Sequence, residues 1–304
     1  MNMPESPTLV AKTDGNEEEI KQAIVTLFNE QLHCLPIIKL FNRVTKSVQK
    51  HRASSIACLG GDRGYETRVE QLQKQIDKQL LLLNNFVHFS PKILTIKQLS
   101  SIQQDWHTIK VGWRHDSIIE NFEFHGHLID QIQGLIRNLC FHHFPEIENG
   151  RIARGEVDSS QTILLQCILQ DIPDNIELIG KLRGLSVHAT STKLCDEAMQ
   201  IRLEFMVKQS REQYRRLAAT LKKLGPNIAI IPNLGKVEPF QVKLDDLLSI
   251  VEVEIMKSKR VIAKTDVVFN RSTEIIDLLW AVTEQGLDAV EKSIYDEIDR
   301  WTAL

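Results

Sequence analysis

Ile179-Gly180-Lys181-Leu182-Arg183-Gly184-Leu185-Ser186 lies inside a long polar/apolar pattern of helical period, and an earlier stretch, Val48-Gln49-Lys50-His51-Arg52-Ala53-Ser54-Ser55, answers it. Both run Lys-x-Arg-small-x-Ser. Apolar residues recur at three and four around each, so each stretch puts an arginine on the body of a helix with a small residue beside it. Gly184 and Ala53 let a second helix or a ligand approach the backbone closely. An arginine held at such a place is costly unless something negative meets it. The flat, five-donor guanidinium suits a flat oxyanion better than lysine does. Arg52 and Arg183 are therefore candidates to converge on one anion where two halves of a helical protein face each other. The competing assignment is that each pairs with a buried Asp or Glu, or carries its charged head out to water.

Outward from these stretches the helical period holds almost everywhere. Residues 1–15 are polar and predict a disordered start, with Asn16 and the acids Glu17, Glu18 and Glu19 as the opening of the first helix. Ile20, Ile24, Leu27, Phe28, Leu32 and Leu35 form one stripe, and Pro36 predicts its end, with a second helix from about residue 37 to 58. Gly60-Gly61-Asp62 breaks the pattern, and Asp62 can cap a third helix carrying Val69, Leu72, Ile76, Leu80 and Leu83. Ser90-Pro91 reads as a cap and first turn before Trp106 and Trp113, and Ser117 to Phe144 is strongly helical. Residues 145–158 read as a loop, followed by two shorter helices, 159–171 and 173–191, and a long one, 194–224, stopped by Lys222-Lys223-Leu224-Gly225-Pro226. A connection over 226–240 and two last helices, 241–268 and 272–300, complete the expectation. Long amphipathic helices with short links predict an all-α protein, as one antiparallel bundle or two bundles side by side, in a single domain over 16–304.

Composition narrows the function classes. The 304 residues are 42% hydrophobic and 25% charged, with a formal net charge of −3, which supplies no electrostatic reason for direct nucleic-acid binding. Nine prolines and fourteen glycines are few for a loop-rich β protein. The five cysteines are scattered, odd in number and without a C-x-x-C, which reads as reduced thiols in a cytoplasmic protein. The first residues lack the basic and apolar regions of a signal peptide, and no run of about eighteen apolar residues marks a membrane span.

Several pieces in order resemble the nitrate- and nitrite-sensing (NIT) domain family, all-helical sensor modules of bacterial regulators. Gln49-Lys50-His51-Arg52-Ala53-Ser54-Ser55 with Gly61-Asp62 is similar to that family's Q-K-x-R-G-x-S stretch, with Ala53 and Ser54 where the family prefers glycine and a hydrophobic residue. His125, Leu128-Ile129 and Gln133 resemble an H-x-x-L-I pattern, and Pro173, Glu177, Gly180 and Leu182-Arg183-Gly184 resemble a P-x-x-x-E-x-x-G-x-L-R-G helix. Phe269, Thr273 and Asp277 fit the family's last helical hairpin. The resemblance spans about residues 40–290. It implies two four-helix bundles packed side by side, with nitrate or nitrite held between them by Arg52, Arg183 and a backbone N–H beside Gly184. Arg260 and Arg271 are further cations that could complete such a pocket.

The implied function is anion sensing in signal transduction or gene regulation, with no catalysis, no cofactor and no metal. No kinase, cyclase, chemoreceptor or RNA-binding segment follows residue 300, so the signal would pass to a partner in trans or through a homodimer. The rival is a helical adaptor that binds a protein and nothing small, with Arg52 and Arg183 in structural ion pairs. An enzyme is the weakest alternative. His125-x-His127 and His142-His143 lack the four-residue spacing that puts two ligands on one helical face, and no P-loop, dinucleotide fingerprint or G-x-S-x-G is present.

Overall fold

The structure, a computed structural model, describes residues 17–89, 93–144, 159–223, 237–258 and 260–303. Its described residues form eight helices and no strand, counting as one each helix that a wider turn interrupts. The helix α1 runs unbroken over Glu17–Leu59 with Pro36 inside it, which corrects the expected break. Proline removes a backbone donor and crowds the preceding turn at a cost of about 3 kcal/mol. Here Cys34, Leu35, Ile37 and Ile38 around it are all fully buried, and the apolar area they bring to the core outweighs that cost. Leu59 is followed by Gly61 at φ +101°, a backbone angle that favours glycine, and by a 3-10 turn, Arg63–Tyr65. The Asp62 carboxylate caps this turn by accepting from the Gly64 N–H at 3.2 Å.

Helix α2 is Glu66–Phe89, α3 is Ile96–Gly112 and α4 is Ile118–His143. Thr95 with Gln98, and Ser117 with Glu120, cap α3 and α4 reciprocally, so the side chains that satisfy the free donors of the first turn also set where each helix begins. Helix α5 starts as Ser159–Gln166, widens into a π-turn at Cys167–Asp171 and continues as Ile172–Thr192. The two short helices expected here are thus one interrupted helix. It stops at Lys193, which takes a left-handed φ of 56° and donates its N–H to Ala189. Helix α6 is Glu197–Lys223, with Lys222 and Lys223 at its negative end. Helix α7 is Val237–Ile250 and ends in a second π-turn, Val251–Met256, about three turns sooner than the even apolar pattern over 241–268 predicts. The last helix, α8, is Thr265–Ala303. The expected caps at Asn16 and Ser90-Pro91, the loop over 145–158 and the Gly225-Pro226 stop lie outside the described residues.

Helix α1 packs on α2, α4, α5 and α8. Helix α3 closes on α2 and α4, while α5 also packs on α6 and α8. Lys39 pairs with Asp288 and Glu291, and Lys46 and Lys50 with Asp277, so numbering rises along α1 as it falls along α8 and the two run antiparallel. A large apolar core extends through all these helices, and a smaller cluster of Ala53, Ile56, Ala57, Val187 and Phe269 seals one end of it. No helix among the described residues is long and apolar enough to cross a membrane.

Candidate functional site

The site lies where α1, α5 and α8 meet, beside the small apolar cluster. Arg52 and Arg183 are both fully buried. Arg52 forms a bidentate pair with Glu177, Nη1 to Oε1 at 2.8 Å and Nη2 to Oε2 at 3.2 Å, and Gln49 adds its Nε2–H to Oε2 at 2.8 Å. Gly180 makes this approach possible: a Cβ there would lie 2.9 Å from Arg52 Nη2. The i, i+3 spacing of Glu177 and Gly180 puts the carboxylate and the gap on one helical face.

Arg183 is held differently. It donates from Nη1 to Thr273 Oγ1 at 3.0 Å and from Nη2 to the Gln49 main-chain carbonyl at 2.8 Å, both neutral acceptors. Burial first, then repulsion from Arg52, lowers its pKa to about 9, with Asp277 and Glu177 opposing, which leaves it charged at neutral pH. The Arg183 guanidinium lies 5.4 Å from the centre of the Phe269 ring, whose face also carries Arg68 at 4.5 Å, and Arg52 lies 5.3 Å from the Phe122 centre. Asp277 is shared by Lys46 and Lys50, each at 3.2 Å. The Nε atoms of Arg52 and Arg183, Gln49 Oε1 and Ser186 Oγ are buried without a hydrogen-bond partner among the described residues. Buried polar atoms are normally satisfied. Three of these four can donate, the two Nε–H groups and the Ser186 hydroxyl, while Gln49 Oε1 can only accept.

Beside Arg52, a chain of hydrogen bonds leads through two buried histidines. His125 Nδ1 contacts the Asn121 carbonyl at 2.6 Å, so that nitrogen carries the proton and Nε2 accepts. His51 Nδ1 then donates to His125 Nε2 at 2.7 Å, and Gln73 Nε2 donates to His51 Nε2 at 3.3 Å. Trp106 meets the His51 ring edge-on at 5.1 Å and Trp113 at 6.4 Å. Burial lowers the His51 pKa to about 3, and burial with His51 and Arg52 nearby holds His125 well below its ordinary value. Both rings are neutral, which the directed bonds require.

The structure brings Arg52 and Arg183 of the two sequence stretches to one place, with Gln49, Glu177, Phe269, Thr273 and Asp277 around them. Gly184 lies inside α5, where the helix ladder takes its N–H, and its missing side chain seats the Phe122 ring, 3.2 Å from where a Cβ would stand. Arg260 and Arg271 are exposed and take no part in the cluster. Among the described residues no three His, Cys, Asp or Glu side chains gather as metal ligands, and His127 and His143 instead lie 3.9 Å and 3.8 Å from Asp105 and Glu30. Sequence spacing alone did not single out Glu177 as the partner of Arg52, or Gln49 and Thr273 as partners of Arg183. The signal for the first was a carboxylate on the same helical stripe as Gly180 and Gly184. A scan against protein-family models, a search of curated proteins and a search of solved structures each found no match to the chain.

Proposed function

We propose that this chain is a sensor of a small planar oxyanion, nitrate or nitrite, of the NIT-domain kind, working in the cytoplasm and signalling to a partner in trans or through a homodimer. In this reading α1–α4 and α5–α8 are two four-helix bundles, and the anion binds between them at Arg52 and Arg183. The observation that carries it is Arg183: a fully buried guanidinium whose hydrogen bonds go to neutral acceptors and whose Nε has none among the described residues. Nitrate is flat, singly charged and weakly hydrated, so two forks can replace its water. Charge-assisted bonds of this kind are worth about 1.5–3 kcal/mol each. The anion would also relieve the repulsion between the two arginines, and a helix shift of about 1–2 Å is the usual scale of such a switch. Signalling requires that it bind one arrangement better than the other.

A second reading, a helical adaptor with no small ligand, is favoured by the complete Arg52–Glu177 pair. Thermal unfolding decides between them. With nitrate, nitrite, chloride and sulfate titrated at fixed ionic strength, a specific anion at about a hundredfold excess over Kd adds ~2.7 kcal/mol to the wild type. Arg183→Met, which keeps the length and removes the charge, loses that gain. Equal effects of all anions, or none, leave the adaptor reading in its place.

A further inference from the structure

Arg52 cannot offer its end-on fork, Nη1 with Nη2, to an incoming anion while Glu177 fills it. Both Nη atoms of Arg52 are committed to that carboxylate, and Gln49 donates to its Oε2 as well. The pair is almost fully buried, so neither member can turn to water. Two negative groups cannot share one guanidinium face without strong repulsion at low dielectric. The Nε edge of Arg52 stays open, but for an anion to take the end-on fork the carboxylate must move, and a buried charge moves only to another partner. One is in place. Lys181 Nζ stands 3.8 Å from Glu177 Oε1, one turn along the same helix, and is 29% exposed, with Asp130 at 3.9 Å as its other neighbour.

From this geometry, and resting on the sensor reading above, we infer that Glu177 is a resident counter-ion which the oxyanion displaces from Arg52, Lys181 receiving the carboxylate as it leaves. The site gains one negative charge and every charge keeps a partner: Glu177, shared at rest between Arg52 and the more distant Lys181, passes to Lys181, and the anion lies between Arg52 and Arg183. Glu177 sets the concentration at which the sensor responds, because every anion bound has first to break that pair. It also favours a ligand that can engage both guanidinium groups, since an ion that meets only Arg52 gains no more than Glu177 already supplies.

Isothermal titration with sodium nitrate, at ionic strength fixed with sodium chloride, is carried out on the full chain, on Glu177→Gln and on Lys181→Met. Removing the competitor is expected to tighten nitrate binding about tenfold or more, the worth of one charge-assisted bond. Removing the receiver is expected to weaken it several-fold. Lys181 is partly exposed and its replacement leaves the fold intact, so this arm stands even where Glu177→Gln, which leaves Arg52 without its carboxylate, does not fold. Binding by Glu177→Gln alone supports the inference, the resident carboxylate then excluding nitrate outright. Nitrate affinities within about twofold of wild type in both variants overturn the inference and leave the sensor reading intact. No binding by any of the three proteins removes both.

Discussion

Arg183 Nη2 donates to the main-chain carbonyl of Gln49 at 2.8 Å, so the arginine of the later Lys-x-Arg stretch rests on the backbone of the earlier one. That carbonyl already belongs to the α1 ladder, and the contact uses its second lone pair. Arg183 is therefore joined to α1 without a carboxylate, while Arg52 is joined to α5 through one.

The two arginines should consequently differ in what they contribute to stability. Arg52→Met leaves the buried Glu177 carboxylate with only Gln49 and the more distant Lys181, and breaking one side of a buried pair costs up to about 3–5 kcal/mol. Arg183→Met loses two hydrogen bonds but leaves no buried carboxylate short of its partner and removes the repulsion between the guanidinium groups, so a smaller cost than that of Arg52→Met is expected. Urea unfolding of both variants tests the order. Arg52→Met with Glu177→Met should recover much of the first loss, and equal costs for the two single variants would mean that Glu177 is not tied to Arg52 in solution.

Glycines in helices separate in the same way. Gly180→Ala sets a methyl group 2.9 Å from Arg52 Nη2, and overpacking of that kind costs about 1–3 kcal/mol. At Gly134 in α4, nothing lies within 4 Å of the place a methyl group would take, so Gly134→Ala should stabilise by about 0.5–1 kcal/mol through lower chain entropy. Thermal midpoints moving in opposite directions are the expected result.

Acid should weaken the protein before its carboxylates titrate. His51 and His125 stay neutral when folded and take up a proton near pH 6.5 when unfolded. A lowered folded pKa makes the unfolded chain bind more protons, so their contribution is complete above 6.5 and is lost as pH falls toward the folded values. Each histidine then removes about 1.4 kcal/mol per pH unit below its unfolded pKa. The half-buried His143 and His188, also lowered by burial, act in the same direction. Urea midpoints between about pH 7.5 and about pH 5.5 should fall steeply, and His125→Gln should flatten the slope.

Thiol labelling should distinguish the five cysteines. Cys34, Cys140 and Cys167 are fully buried, and burial raises all three, Cys140 and Cys167 to about 12. Cys58 and Cys195 are only partly buried, although burial raises both, Cys58 to about 11. A thiol-disulfide reagent should reach at most those two, slowly, in the native protein and all five after denaturation. Rapid native labelling of a third would show that the core opens.

The helical architecture was legible because apolar spacing persists through nearly every segment, and the strong period from Ser117 to Phe144 matches α4. Pro36 misled because its local cost is visible in sequence while the four buried neighbours that offset it are not. The end of α7 was hidden too, since the apolar spacing runs through the π-turn at Val251–Met256 without interruption. At the site, two arginines on helical bodies could be read directly. Their partners could not: Gln49 acts on Arg183 through its main chain, and His51 meets His125 from another helix, relations that residue identity does not encode. Glu177 was readable as part of a motif but not as the occupant of Arg52.

Asp277 Oδ1 stands at an equal 3.2 Å from Lys46 and Lys50, two cations one turn apart on α1. A vernier with two matching marks cannot tell one notch from the next: slide α1 past α8 by about 5.4 Å and a lysine still faces Asp277. The surface charges along this seam thus tolerate a ratchet step. What forbids it is inside, where Arg183 donates at once to the Gln49 carbonyl on α1 and to Thr273 on α8, so the lock on the register and the place where an anion would act are the same few atoms.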